Sequence, residues 1–331
     1  MTSRQPESPD RRRALACIAG LCAVPRLALA DEAYPSKPIR LVVGYAPGGS
    51  ADLTARLFAE RMRVELGQMV IVDNRAGAGG NIGAEIVAHA PADGYTLLLA
   101  AAGQIVVNPG LYKHMSFDPA KDLVPITQLQ VEHNLMVVNP KIPVKTVGEF
   151  IAYAKAHPDG ISFASPGIGS PAHLAGELMN KMAGLKMQHI PYKGSGPALN
   201  DLISGQVTMA IDNMPALLPQ ARAGKLRALA VASDKRAAAA PEIPTISESG
   251  LKGYVVMAWK GLMAPIGTPQ PILGKLHATM IKILAMPEVR EKMISLGAEP
   301  VGSTPAQFAD LIHKETAEWA ALIKSTGTTL E

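Results

Sequence analysis

Two short segments of the sequence combine glycine, proline and serine between an apolar stretch and an amphipathic one. They read Ala-Pro-Gly-Gly-Ser-Ala-Asp at 46–52 and Ser-Pro-Gly-Ile-Gly-Ser-Pro-Ala-His at 165–173. A helix N-terminus leaves backbone N–H groups unpaired and carries partial positive charge. Glycine lets the backbone of such a turn approach a ligand closely. Each segment could therefore bind a small anion without lysine or arginine.

Side chains in these segments could strengthen an anion site. Hydroxyl donors are offered by Ser50, Ser165 and Ser170. Asp52 either caps the following helix or accepts a hydrogen bond from a ligand, and His173 either packs in its helix or contacts the ligand. Glycine, proline and serine also occur in such turns for geometry alone, so a structural role stays open for each turn. Two matched turns in one chain favour a shared binding site.

Other chemistries find no support in the sequence. Residues 77–83 have the spacing Gly-x-Gly-x-x-x-Gly, which is one residue longer than a dinucleotide-binding fingerprint. No Gly-x-Ser-x-Gly nucleophile elbow occurs, and the eight histidines are scattered without a His-x-x-x-His pair. No nucleophile is paired with an evident base. We therefore expect a binding protein rather than an enzyme, with no cofactor and no metal site.

Short apolar runs alternate with amphipathic segments along the chain. This alternation predicts an α/β fold whose mostly parallel sheet carries helices on its faces. Ligands of such sheets bind beyond the carboxyl ends of the strands, where both glycine-rich turns lie. We predict strands or extended segments at 39–43, 69–72, 96–100, 126–131, 135–138, 161–164, 187–190, 207–211, 226–232 and 254–263, with His133-Asn134 joining two of them. We predict helices at 51–66, 81–90, 150–156, 174–183, 197–204, 271–285, 287–295 and 305–325.

The N-terminal residues have the features of a secretory signal. Three arginines at 11–13 precede the apolar run at 14–24, and Ala28-Leu29-Ala30 has small residues where a signal peptidase reads the chain. We predict cleavage after Ala30; a membrane anchor is the alternative, although the run is too short to span a bilayer. Twin-arginine and general export both stay open. Both cysteines, Cys17 and Cys22, lie in this leader, so the mature chain would have no disulfide or thiolate site.

The charge of the chain is concentrated in the same leader. The formal net charge is +4, but residues 1–30 hold five basic and two acidic residues. The remaining residues comprise 27 basic and 26 acidic ones. A nearly neutral body argues against a nucleic-acid partner, which normally leaves a strong basic footprint.

The ordered set of segments resembles that of Bug-type extracytoplasmic solute receptors, the soluble components of tripartite tricarboxylate transporters. The resemblance extends from Tyr34 to Ile323. It is specific for the family and much less so for any one ligand. The matching segments are YPSKPIRLVV (34–43), APGGSAD (46–52), DNRAGAGGNIGAE (73–85), ADGYTLLL (92–99), NPGLY (108–112), VVNP (137–140), SPGIGSPAHLAGELM (165–179), HIPYKGSGPALNDLISGQV (189–207), IDNMPALLP (211–219), AGKLRALAV (223–231), PTISESG (244–250), APIGTP (264–269) and LGAEPVGSTPAQF (296–308).

The resemblance implies a type II periplasmic binding protein fold, in which two α/β lobes close over a ligand cleft. Residues 1–30 would be the signal peptide, 31–131 plus 254–331 lobe 1, and 132–253 lobe 2. Family members hold a carboxylate mainly with backbone amides and hydroxyls of the two glycine-rich turns. Carried over to this sequence, the ligand-binding residues are Ala46, Pro47, Gly48, Gly49, Ser50, Asp52, Ala102, Gly103, Gln104, Ser165, Gly167, Gly169, Ser170, His173 and Asp212.

The resemblance also implies a function. A periplasmic monomer would capture a small carboxylate, either an organic acid or an amino acid, by closing its cleft. It would then deliver this ligand to the membrane subunits of a tripartite tricarboxylate transporter. The alternative is a receptor that presents its ligand to a sensor kinase. The identity of the ligand stays open.

Three positions depart from the family pattern. Gly44-Tyr45 stands before the first turn, where many relatives have proline and an aromatic residue. The turn at 101–104 is Ala-Ala-Gly-Gln and lacks the usual serine or threonine, and 258–261 is Ala-Trp-Lys-Gly instead of Ser-Trp-Phe-Gly. Fewer hydroxyls and one extra cation would change the distal end of the pocket. Whether Lys193, Trp259 or Lys260 lines the pocket, and which lobe carries the last helix, stays open.

Overall fold

The computed structural model describes residues 34–326 together with Thr2. By its internal contacts the chain divides into two compact units, Met1–Ser36 and Lys37–Glu331. The predicted signal peptide at 1–30 lies outside the described residues, apart from Thr2. No helix within the described residues is long and apolar enough to cross a membrane.

The second unit is a mixed α/β structure. In the part of the chain that the structure describes, the strands are β1 (Ile39–Val43), β2 (Val70–Asn74), β3 (Thr96–Ala101), β4 (Leu123–Val138), β5 (Ser162–Ser165), β6 (Gln188–Pro191), β7 (Met209–Asn213), β8 (Arg227–Val231), β9 (Met257–Pro265) and β10 (Ala298–Pro300). The helices are α1 (Ser50–Leu66), α2 (Asn81–Ala88), α3 (Asn108–Leu111), α4 (Pro119–Asp122), α5 (Val147–Ala156), α6 (Pro171–Ala183), α7 (Ser195–Ser204), α8 (Met214–Arg222), α9 (Gln270–Ala285), α10 (Pro287–Ser295) and α11 (Pro305–Thr326), with a 3-10 turn at Ala78–Gly80 and a π-helical turn at Gly103–Val107.

The strands form one continuous path in the order β2-β1-β3-β9-β4-β7-β5-β6, with β10 and β8 also paired to β4. Strand β1 is parallel to β2 and β3, and β5 is parallel to β6 and β7. Strand β9 is antiparallel to both β3 and β4. We call β1, β2, β3 and β9 with their helices the first half, and β5, β6, β7 and β8 with theirs the second half.

Strand β4 belongs to both halves and corrects one prediction. The sequence predicted two extended segments, 126–131 and 135–138, joined at His133-Asn134; the structure has one strand of 16 residues. Leu123 to His133 pair with β9, and Asn134 to Val138 pair with β7. Because backbone partners continue across the change of neighbour, the strand does not break there. The side chain of Asn134 bonds the carbonyl of Val256 and accepts from Asn213.

Two helices begin about three residues earlier than the sequence predicted, because a capping side chain precedes the predicted start. The structure begins α5 at Val147 because the hydroxyl of Thr146 accepts the N–H of Glu149 (3.1 Å), and the Glu149 carboxylate accepts the N–H of Lys145 (2.6 Å). This arrangement resembles a capping box, but the Glu149 carboxylate accepts the N–H of the residue before the cap, Lys145, instead of that of Thr146. By the same reasoning α6 begins at Pro171, one residue after its cap Ser170, and not at Leu174.

Alternate residues of β4 face opposite sides of the sheet, and their side chains pack in two separate apolar cores of the second half. Met136 and Val138 pack in a cluster with Phe150 and Phe163, whereas Leu135 packs on the other side. Such alternation is the normal consequence of strand geometry. In the first half Trp259 and Phe308 belong to one core, so the last helix packs on the first half.

Candidate functional site

A small cavity lies between the two halves, where the carboxyl ends of the parallel strands meet. Its volume is about 20 Å³, which is room for a single water-sized molecule. Any organic ligand therefore needs the halves or the lining side chains to move. The lining residues are Tyr45, Gly49, Ser50, Ala51, Ala101, Ala102, Ala258, Trp259 and Lys260 from the first half, and Pro166, Ser170, Pro171, Ser195 and Asn213 from the second.

The first glycine-rich turn connects β1 to α1. Gly48 has a φ of +83°, a conformation that glycine adopts without strain. Its N–H donates to Oδ2 of Asp52 at 3.0 Å, and Arg56 donates to the same oxygen at 3.0 Å. Burial alone would raise the pKa of Asp52, but the hydrogen bonds from Arg56 and Gly48 lower it overall. Asp52 therefore stabilises the turn, and Ser50 at the start of the helix lines the cavity.

The same turn contacts a third glycine-rich turn, which belongs to the second half. The N–H of Ala46 donates to the carbonyl of Lys193 at 2.9 Å. A Cβ added to Gly49 would lie 3.0 Å from Cβ of Ser195, and one added to Gly196 would lie 2.2 Å from the carbonyl oxygen of Pro47. Larger side chains at these glycines would separate the two halves.

The second glycine-rich turn connects β5 to α6 and is held by its own hydroxyls. Oγ of Ser170 accepts the N–H of His173 (3.2 Å) and donates to the carbonyl of Gly167 (2.7 Å). Oγ of Ser165 accepts the N–H of Gly167 (3.2 Å) and lies 2.6 Å from Nε2 of His189. The N–H of Gly169 donates to Nδ1 of His173 at 3.3 Å. Of these residues, Ser170 lines the cavity.

Two stacked histidines, His173 and His189, contact the second glycine-rich turn. The ring centroids of His173 and His189 are 4.2 Å apart, and His189 stacks in turn on Phe163 at 4.8 Å. Burial lowers the pKa of His173 to about 4. Burial, together with the neighbouring His173, lowers the pKa of His189 to about 3. Both rings are therefore neutral at ordinary pH, and they serve as packing and hydrogen-bonding groups.

The turn after β3 forms the wall facing the second glycine-rich turn. A Cβ added to Gly103 would lie 3.0 Å from the carbonyl oxygen of Gly169. Gln104 is fully buried, and neither atom of its amide has a hydrogen-bond partner among the described residues. Ala102 lines the cavity directly.

A buried charged cluster lies where the two halves join. Nζ of Lys260 is 2.7 Å from Oε2 of Glu132, with the two side chains 4% and 0% exposed. Oε1 of Glu132 accepts from Oγ of Ser50 (2.5 Å) and from Nε2 of Gln130 (2.6 Å). Burial and the charge of Glu132 raise the pKa of Asp212, although hydrogen bonds from Ser195 and Asn213 and the charge of Lys260 oppose the rise.

The structure brings together only some of the residues predicted for the site. Gly49, Ser50, Ala102 and Ser170 line the cavity. The others build the turns or lie behind the wall, and their contact with a ligand remains a prediction. Trp259 and Lys260 line the cavity, whereas the side chain of Lys193 is exposed.

Sequence reasoning missed Ser195, Asn213, Tyr45 and Glu132. Ser195 had a usable signal, because Gly194-Ser195-Gly196 follows β6 and opens α7 in the same way as the other two turns. Glu132 had none, since it lies inside a strand and its partners are distant in sequence. Among the described residues, no group of three His, Cys, Asp or Glu side chains is placed to hold a metal ion.

Two α/β halves that share a long strand, and that meet at a cavity lined by helix N-termini, define a two-lobe solute-binding protein. The chain belongs to the family described as the tripartite tricarboxylate transporter family receptor, which matches residues 54–328. The predicted fold class is confirmed by solved structures of periplasmic binding proteins.

Three relatives illustrate the similarity. Protein BugT of Bordetella pertussis is 40% identical over 301 residues, which are 91% of this chain and 92% of BugT. The structure of the periplasmic binding protein BugD is 38% identical with a TM-score of 0.87, covering 90% of this chain and 100% of BugD. The structure of Rpa4515 from R. palustris with adipate is 38% identical with a TM-score of 0.86, covering 89% of this chain and 99% of that one.

Proposed function

We propose that this protein binds a small carboxylate between its two lobes, in the periplasm, and delivers it to the membrane subunits of a tripartite transporter. The observation that carries the proposal is the meeting of two helix N-termini at one cavity. Helix α1 begins at Ser50 and helix α6 begins after Ser170, and both serines line that cavity. Helix geometry leaves the first N–H groups of each helix without intrahelical acceptors.

The carboxylate would be held mainly by these N–H groups, because the hydroxyls of Ser50 and Ser170 already donate to Glu132 and to the carbonyl of Gly167. Lys260 is the one cationic side chain among the described residues that line the cavity, and Glu132 already neutralises it. Helix N-termini favour a negative charge by their dipole and by their unpaired donors. The adipate bound by Rpa4515 is a carboxylate, which supports the same ligand class for this chain.

Ligand binding would close the two lobes as rigid bodies. We assign residues 31–131 plus 254–331 to lobe 1 and 132–253 to lobe 2, so that β4 and the segment before β9 form the hinge. A ligand that contacts both lobes stabilises the closed arrangement in proportion to its preference for that arrangement. We propose that the receptor acts as a monomer after removal of residues 1–30.

Thermal unfolding tests this proposal. The mature protein from Asp31 is heated with small carboxylates and, in parallel, with the neutral amides of the same carbon skeletons. A ligand at a hundred times its Kd stabilises the folded state by about 2.7 kcal/mol, which raises Tm by several degrees. A shift with a carboxylate but not with its amide supports the anion site. A shift with neutral solutes alone contradicts it.

A further inference from the structure

Much of the cavity wall is apolar. Ala101, Ala102 and Ala258 of the first half contribute methyl groups, and Pro166 and Pro171 of the second half contribute proline rings. The side chains of these five residues contain no hydrogen-bond donor or acceptor. A ligand in the cavity therefore depends for polar contacts on the helix N-termini and on the remaining lining side chains.

The two aromatic residues of the wall use their polar hydrogens within the protein. The hydroxyl of Tyr45 donates to the carbonyl of Gly79 at 3.1 Å, and Nε1 of Trp259 donates to Oε2 of Glu315 at 2.7 Å. Each of these groups has a single hydrogen to donate. Tyr45 and Trp259 therefore add apolar ring surface to the cavity, and a ligand gains no hydrogen from either of them.

Three polar side chains of the wall are bonded to buried carboxyl groups. Oγ of Ser50 donates to Glu132 at 2.5 Å, and the hydroxyl of Ser195 donates to Asp212. Nζ of Lys260 keeps further N–H groups, but its charge is balanced by Glu132 at 2.7 Å. A ligand carboxylate bound to Lys260 would lie beside the carboxylate of Glu132, and the two negative charges would repel each other.

The last two polar side chains of the wall are also bonded within the protein. Oγ of Ser170 donates to the carbonyl of Gly167 at 2.7 Å, and Nδ2 of Asn213 donates to Oδ1 of Asn134 at 2.9 Å. Asn213 keeps one further N–H, and a single neutral donor does not offset the water that a second carboxylate would lose. All of these bonds lie within one half or join it to the shared strand β4. Movement of the halves as rigid bodies therefore leaves them intact.

We propose that the ligand is a small monocarboxylate whose remainder is apolar, and that the wall discriminates against a second carboxylate or a hydroxyl group on the same carbon chain. The inference rests on the proposed function, because the helix N-termini must hold the single carboxylate. A second polar group would lose its hydrogen bonds to water without replacement, whereas an apolar group gains by leaving water. The adipate bound by Rpa4515 has two carboxylates, so the ligand preference of this chain would differ.

A graded series of probes tests the preference on the unmodified mature protein. Titration calorimetry at neutral pH compares butyrate with 4-hydroxybutyrate and succinate, and the comparison is repeated with the corresponding acids of five and six carbons. We expect the monocarboxylate of the best-fitting length to bind about tenfold or more tightly than either polar analogue. Equal or tighter binding of a polar analogue overturns the inference and leaves the proposed function intact.

Two further outcomes of the same titrations concern the proposed function. Binding of the neutral amide of the best monocarboxylate with equal affinity overturns the carboxylate site, and the inference with it. Absence of binding by every acid of the series overturns both.

Tryptophan emission tests whether the ligand binds against this wall. Trp319→Phe leaves Trp259 as the only tryptophan of the chain, and Trp259→Phe leaves Trp319, which does not line the cavity. We expect the best monocarboxylate to change the emission of Trp319→Phe with the Kd that calorimetry gives, and to change that of Trp259→Phe little. Binding by Trp319→Phe without a change in emission overturns the assignment to this wall. The calorimetric comparison on the wild type does not depend on the folding of either variant.

Discussion

Oγ of Ser50, the first residue of helix α1, donates a hydrogen bond to Oε1 of Glu132 in the strand shared by both halves, at 2.5 Å. Both side chains are buried. This contact ties the first glycine-rich turn to the charged cluster. The helix N-terminus that would hold a ligand and the buried charged cluster are thus parts of one hydrogen-bonded network.

Replacing Ser50 with alanine should destabilise the protein. The change leaves Oε1 of Glu132 with Gln130 as its remaining donor, and a lost hydrogen bond to a buried charged group costs about 1.5–3 kcal/mol. Urea denaturation measures this difference. Ser295→Ala removes an exposed hydroxyl that bonds the carbonyl of Lys292, and it should change stability by less than about 0.5 kcal/mol. Equal effects of the two substitutions would contradict the prediction.

Two helical glycines should respond oppositely to alanine. A Cβ on Gly176 would lie 2.1 Å from Cε2 of Phe163 in the core, so Gly176→Ala should cost about 1–3 kcal/mol through overpacking. Gly274 in α9 has no atom within 4 Å of an added Cβ, so Gly274→Ala should stabilise by up to about 1 kcal/mol. Thermal unfolding of both variants shows whether each substitution raises or lowers the stability. A stabilised Gly176→Ala variant would contradict the close packing of Phe163 against Gly176.

Stability should fall as the pH is lowered from about 6.5 towards 4. Burial lowers the pKa of His173 from 6.5 to about 4, so in this range the unfolded chain binds a proton that the folded chain does not. Stability therefore rises with pH across this window and loses about 3 kcal/mol at its acid end, at about 1.4 kcal/mol per pKa unit. His189, with a pKa of about 3, acts in the same direction.

The variant His173→Gln should flatten this pH dependence. Urea denaturation at several pH values gives the slope of the unfolding free energy for the variant and for the wild type. His114→Gln replaces an exposed histidine and serves as the control. If the slope between pH 4 and 6.5 were the same in all three proteins, the neutral buried state of His173 would be refuted.

The last helix should hold the tryptophan of the cleft wall in place. Nε1 of Trp259 donates to Oε2 of Glu315 in α11 at 2.7 Å, and burial raises the pKa of this carboxyl group. Glu315→Gln keeps an acceptor and should leave the tryptophan emission spectrum almost unchanged. Glu315→Ala removes the acceptor, so it should shift the emission and destabilise by about 1–3 kcal/mol. Identical spectra in the two variants would argue against this positioning role.

Local signals in the sequence allowed much of the fold to be predicted. The run Ile39 to Val43 is apolar except for Arg40 because most of β1 is buried, and its identification needed no distant contact. The sequence predicted that the last helix starts at Pro305, and the structure caps it there: the N–H of Gln307 bonds the hydroxyl of Thr304 at 3.2 Å. Both features depend on neighbours within a few residues.

The central strand and the charged cluster could not be predicted in the same way. Gln128, Gln130 and Glu132 interrupt the apolar pattern of β4. Gln130 bonds both the nearby Glu132 and the distant Thr54, and the other partners of Glu132 are distant in sequence. Ser50 is 82 residues from Glu132, and Lys260 is 128 residues from it. The sequence showed Lys260 as a departure from the family pattern. Its partner Glu132 could not be predicted, because their contact depends on how β9 pairs with β4.

The most direct test of the carboxylate site is a pair of substitutions at Ser170. Asp and Asn cap helices about as well as Ser, so Ser170→Asp and Ser170→Asn should both fold with an intact α6. Calorimetry then measures the binding of the carboxylate that gives the largest thermal shift. We predict that Ser170→Asp, which places a negative charge at the helix N-terminus, loses binding by about a hundredfold or more, whereas Ser170→Asn stays within about tenfold of the wild type. Equal affinity of the two variants would contradict the claim that the ligand's carboxylate lies at this helix N-terminus.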